Sequence, residues 1–161
     1  MTLETIILFL DKYNLPWLLW ALTSWLVIYM TCNRQQLRHA FSVGLWTAAV
    51  GLVLEHFFIV NKFWTERFIM LPVGELDLFV VIGPFFTLGV MLIRYLPGHF
   101  RGQMLAVFAW SATATAGELL SLRLGFLQYH PDKWTILHSF VGYYLGLMSA
   151  LGFYFSRQKK C

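Results

Sequence analysis

Five apolar runs of roughly 17–22 residues, separated by short stretches that carry most of the charge, set the limits on what this chain can fold into. A helix rising ~1.5 Å per residue needs about that length to cross the ~30 Å hydrocarbon core of a bilayer. Lipid offers no hydrogen bonds, so a spanning backbone must satisfy its own, as a helix or a closed barrel. The run from Leu76 to Leu96 is apolar on every face instead of alternating, which selects helices. Composition agrees: 58% of the 161 residues are hydrophobic and 12% charged, and the mean hydropathy is +0.63, outside the usual range of a soluble domain. The expected fold class is all-α: an integral membrane helical bundle of about five transmembrane helices plus a short N-terminal amphipathic helix, one membrane domain over residues 1–161.

The spans are predicted at roughly 16–32, 40–60, 76–97, 103–122 and 136–156. Ahead of them, Leu3, Ile6, Ile7 and Leu10 share one helical face while Glu4, Asp11 and Lys12 lie elsewhere. That is the pattern of an interfacial helix, or of the first turns of a longer, tilted first span. No basic n-region precedes the first apolar run and no small-residue cleavage site follows it, so the first helix is expected to be retained. Trp17, Trp64 and Trp134 fall near predicted interfaces, where an amphipathic ring prefers the headgroup layer. Pro84 lies inside the third span and is expected to kink it or free a carbonyl. Cys32 and Cys161 lack metal-ligand spacing and are expected to form neither a disulfide nor a thiolate site.

Orientation follows from Lys and Arg. Arg34, Arg38, Arg94, Arg101, Arg157, Lys159 and Lys160 share one side, and Lys12, Lys62, Arg67, Arg123 and Lys133 the other. Seven against five puts the amino terminus outside and the carboxyl terminus in the cytoplasm. The net charge of +4 is explained by these loops and the tail, so the partner expected is the lipid bilayer, with a membrane-protein partner or a second copy also open, and not nucleic acid.

An ionisable side chain at the bilayer centre costs at least ~2.5–3.5 kcal/mol on insertion scales, so each one inside a span calls for a partner or a purpose. Here they share a level. Glu55 and His56 lie about one turn before the end of the second span, and Glu118 at a similar distance from the end of the fourth. Glu75 and Asp77 begin the third span and His138 the fifth. A candidate cation or proton site near the outer face is therefore assigned to Glu55, Glu75, Asp77, Glu118 and His138; carboxylate and imidazole suit several metals, and no spacing here selects one. Glu118 leads, because the small residues from Ser111 to Gly117 let another helix approach and turn it toward protein. The competing reading pairs these groups with Arg67, Arg123 and Lys133 or lets them reach headgroup water.

Other polar features read more simply. Gly142 and Gly146 form a G-x-x-x-G pair whose expected use is packing inside the chain. Tyr143 and Tyr144 carry hydroxyls that bond either a buried carboxylate or, more commonly, a carbonyl. The segment from Gln128 to Trp134 is expected to be a solvated turn, or else a cover that brings His130 and Asp132 to the site.

Glu55 near the end of the second span, Glu75 ahead of the third span with Pro84, Glu118 in the fourth, and the pair Lys133-Trp134 before the last give a layout over residues 40–156. It resembles a family of small, uncharacterised multi-pass membrane proteins from Gram-positive spore-forming bacteria. The resemblance implies the architecture and no activity. Three function classes stay open: a cation or proton site at the outer carboxylates, an accessory or assembly protein acting through helix contacts, and an intramembrane enzyme on a lipid or isoprenoid substrate. No G-x-S-x-G, Walker or dinucleotide motif occurs, so a hydrolase nucleophile, ATP and NAD are not indicated.

Overall fold

A computed structural model describes residues 9–10 and 12–158. The amphipathic helix read over the first dozen residues, with Glu4 and Asp11, lies largely outside them, as do Lys159, Lys160 and Cys161. The described chain is mostly helical, with five helices: α1 (Pro16–Thr31), α2 (Arg34–Val60), α3 (Leu78–Arg94), α4 (Phe100–Arg123) and α5 (Ile136–Gln158). By length and composition α2, α4 and α5 can each cross a membrane, while α1 and α3 are shorter apolar helices.

The second helix begins earlier than its apolar run, and the reason is local. Asn33 caps it: its Oδ1 accepts from the Gln36 N–H at 2.8 Å, and the Gln36 carboxamide oxygen accepts from the Asn33 N–H at 3.0 Å. This reciprocal box satisfies two of the free donors of the first turn. Arg34 and Arg38, read as loop, are therefore helical.

Helix α3 is the central element. It packs against each of the other four, and Val90, Met91 and Leu92 have at most 1% of their surface exposed. Its course contains the expected irregularity, as a wide π-helical turn at Val81–Phe85 around Pro84, the local adjustment that accommodates a residue without an N–H. Close approaches onto α3 run through glycines. A Cβ added at Gly83 would sit 2.5 Å from the Ala21 Cα of α1, and one at Gly89 would sit 2.8 Å from the Val43 carbonyl oxygen of α2. The G-x-x-x-G pair behaves otherwise: among the described residues nothing lies within 4 Å of a Cβ added at Gly142 or Gly146. The expectation that these two glycines serve packing inside the chain is corrected accordingly; they border a cavity.

One end of the bundle carries the connections α2–α3 and α4–α5, and these are ordered by strand pairing. β1 (Trp64–Glu66) runs antiparallel to β4 (Leu127–Tyr129), with Trp64 opposite Tyr129 and Glu66 opposite Leu127. β2 (Pro72–Val73) and β3 (Leu76–Asp77) form a hairpin on a two-residue turn, Gly74-Glu75, with Gly74 at φ 68°. Glycine at the first turn position is what such a hairpin requires. Cys32 is a free thiol.

Candidate functional site

The paired strands β1 and β4 form a cap over the ends of α2 and α4, and the cap's inward residues hold the two helix glutamates. Alternation along β1 turns Trp64 and Glu66 inward and leaves Thr65 exposed; along β4 it turns Leu127 and Tyr129 inward and exposes Gln128. The Trp64 indole N–H donates to Glu55 Oε2 at 3.0 Å. Its partner across the strand pair, Tyr129, donates its hydroxyl to Glu118 Oε1. The Ser139 hydroxyl, at the start of α5, donates to the same oxygen at 2.8 Å and accepts from the Trp134 indole at 2.8 Å. Tyr143, one turn further along α5, faces Glu118 and Glu55. Glu55 is thus held by a neutral donor of the cap, and Glu118 by neutral donors of the cap and of α5.

A third carboxylate comes from the cap itself. Glu66 Oε2 accepts from the Asp77 N–H at 2.9 Å, and its charge acts on Glu55. Burial raises the Glu66 carboxyl from its ordinary 4.5 to about 8; the Asp77 N–H opposes that rise, and the Asp77 carboxylate adds to it. Burial also raises the Tyr129 phenol, and the neighbouring Glu118 charge pushes the same way.

Glu55, Glu66 and Glu118 together line a cleft of about 380 Å³ between α1, α3 and α4, with Tyr143 beside them. A smaller cavity of about 70 Å³, on the α2 and α5 side, also reaches Glu55, Glu118 and Ser139. The rings of Phe58, Phe63, Trp64 and Trp134 pack on one another beneath the cap, with Phe58 and Trp134 4.5 Å apart.

Comparison of the chain with protein-family models, with curated proteins and with solved structures gives no match. The assignment of roles rests on geometry.

Of the five residues assigned from sequence, the structure brings Glu55 and Glu118 together at one cleft. The other three serve elsewhere. Asp77 is fully buried and ties down backbone: Oδ2 accepts from Met70 N–H at 2.5 Å and Oδ1 from Phe79 N–H at 2.9 Å, which caps α3. Glu75 is exposed because it occupies the tip of the β2–β3 turn. His138 is exposed and caps α5 from within, its Nδ1 accepting from Thr135 N–H at 3.1 Å. Among the described residues no group of three His, Cys, Asp or Glu side chains is placed to hold a metal ion.

The basic residues offered as partners also stand apart. Arg67 and Arg123 are exposed, and Lys133 reaches the Asn61 carbonyl at 3.4 Å. Trp17, Trp64 and Trp134, expected in a headgroup belt, are between 5% and 8% exposed. Each indole N–H is spent inside the protein, on the Arg67 carbonyl, Glu55 and Ser139 respectively, because a buried donor without an acceptor is costly. The segment from Gln128 does cover the site, through Tyr129 and Trp134; His130 and Asp132 are exposed. The site residues the sequence reading missed are Trp64, Glu66, Tyr129, Trp134 and Ser139. Trp64, Glu66 and Tyr129 lie in β1 and β4, whose only signal was period-two alternation over three residues, too short to register as strand, and Trp134 lies in the connection before α5.

Proposed function

We propose that this chain is a five-span integral membrane protein, amino terminus outside, with a proton- or cation-exchanging site at its outer end formed by Glu55 and Glu118 and supported by Glu66. The resemblance to multi-pass proteins of spore-forming bacteria agrees with the architecture and supplies no activity. The observation that carries the reading is the shared cleft of Glu55 and Glu118, in which the two carboxylates are bonded by Trp64, Tyr129 and Ser139 and, among the described residues, by no basic group. Neutral donors orient carboxylates without cancelling their charge. Two like charges on one cleft repel, and a proton or cation arriving between them relieves that repulsion. The cap fixes the side chains, so the variable part of the site is the charge it holds.

The test is infrared difference spectroscopy across pH on the purified protein in lipid nanodiscs, with calorimetric titration of sodium and calcium alongside. A carboxyl band that changes with pH or with cation, and that is lost in both Glu55→Gln and Glu118→Gln, is the expected result. An unchanged spectrum through the accessible pH range, with no cation heat, would overturn the reading.

A further inference from the structure

The cleft extends well beyond its carboxylates. It follows α1 from Trp17 to Val27 and α4 from Ser121 back to Trp110, which at ~1.5 Å per residue is about 15 Å of helix axis. Its α4 wall is built of small residues, Thr113, Ala114 and Gly117. The sequence reading gave that stretch to a closely approaching helix. Instead α1 stays back, and the nearest contact a Cβ at Gly117 would make is with the Trp20 ring at 3.5 Å. Val27 and Thr113 are exposed at the mouth, so the cleft opens on the flank of the bundle between α1 and α4.

The cleft is chemically asymmetric. Glu55, Glu66 and Glu118 stand at the capped end, and among the described residues no Lys, Arg or His lines it. The remainder is apolar and aromatic save for a few hydroxyls, and one of these is without a partner: Thr87 Oγ1 is the buried side-chain oxygen or nitrogen that bonds nothing among the described residues. Leaving such a group unpaired costs ~1–3 kcal/mol, and Thr87 is buried on α3 facing this cleft. About 380 Å³ lies within the range of small-ligand sites, which are mostly apolar with a few placed polar groups.

From this we infer that the cleft binds a single-chain amphiphile with an amine head, the head at Glu55, Glu66 and Glu118 and the tail lying between α1 and α4. The three carboxylates accept the N–H bonds of the head, and Thr87 offers a further hydroxyl to a head that carries a second polar group. The tail enters from the flank, where lipid would stand. This rests on the proposed reading of Glu55 and Glu118 as a charge-exchanging site and names what brings the charge.

Native mass spectrometry of the full chain released from detergent tests it, with dodecylamine, dodecanoate and methylamine as probes. Dodecylamine is expected to give a one-to-one adduct at least about tenfold tighter than dodecanoate, the factor that ~1.4 kcal/mol of charge discrimination produces. Ala114→Phe, which fills the α4 wall, should abolish the adduct while leaving the carboxyl infrared band in place. Thr87→Val should leave dodecylamine binding intact. Dodecanoate binding as well as dodecylamine overturns the inference, and this comparison needs no variant. Methylamine binding as tightly as dodecylamine also overturns it, while leaving the charge-exchanging site standing. Loss of the pH-dependent carboxyl band in the unaltered protein would instead strike the underlying reading.

Discussion

Glu66 couples the cap to pH. Its carboxyl is raised from 4.5 to about 8 by burial, so the folded state holds that proton more tightly than the unfolded chain does. Between those values the folded protein carries the extra proton, and stability falls as pH rises; below 4.5 the contribution is complete, and above 8 it is gone. Thermal unfolding in detergent should therefore drop by several degrees from pH 5 to pH 8, and Glu66→Gln should flatten that portion of the profile. Asp77 holds backbone in place. It accepts backbone N–H bonds from Met70, Leu71 and Phe79, so Asp77→Ala removes a helix cap and strands buried donors. A loss of about 2–4 kcal/mol is expected from a cap worth ~1 kcal/mol plus an unsatisfied group at ~1–3 kcal/mol, measured by reversible denaturation.

At the scale of elements, the site depends on a strand pair of three residues on each side. Thr65→Pro removes an N–H from the middle of β1, and proline is poorly tolerated within a ladder. Amide exchange over Leu127–Tyr129 should then accelerate by an order of magnitude or more, with the helices α2 and α4 unaffected; unchanged protection would show that the cap is held by its side chains alone. Helix packing depends on glycines in α3. Gly89→Val places methyls where Thr47 and the Val43 carbonyl stand, and overpacking of that kind costs typically ~1–3 kcal/mol. Gly146→Ala, which meets nothing within 4 Å, should leave the unfolding temperature within a degree or two. Equal effects of the two substitutions would contradict close packing of α2 on Gly89.

For the whole molecule, the proposed topology is tested by labelling. In a background with Cys32 and Cys161 replaced by alanine, a cysteine at exposed Gln128 should label with an impermeant maleimide in intact cells. One at exposed Arg101 should label only after lysis. The reverse pattern would invert the molecule and place the carboxylate cleft on the cytoplasmic side.

Number, order and approximate limits of the five helices were legible from sequence, since each follows an apolar run and the hydrogen bonds of a helix close within its own segment. Two of the site residues, Glu55 and Glu118, were legible for the same reason: an acid inside such a run is conspicuous. What only the tertiary structure decided is which polar groups meet. By residue number Glu75 and His138 fall at a level similar to that of Glu118, yet both are exposed, Glu75 at the tip of a two-residue turn and His138 in a helix cap. Glu66, which lies between the second and third predicted spans, turns inward because β1 pairs with β4 across more than sixty residues of chain. Level along a bundle follows from residue number at ~1.5 Å per residue; direction around it depends on which distant segments pair, and the alternation of a three-residue segment does not specify its partner.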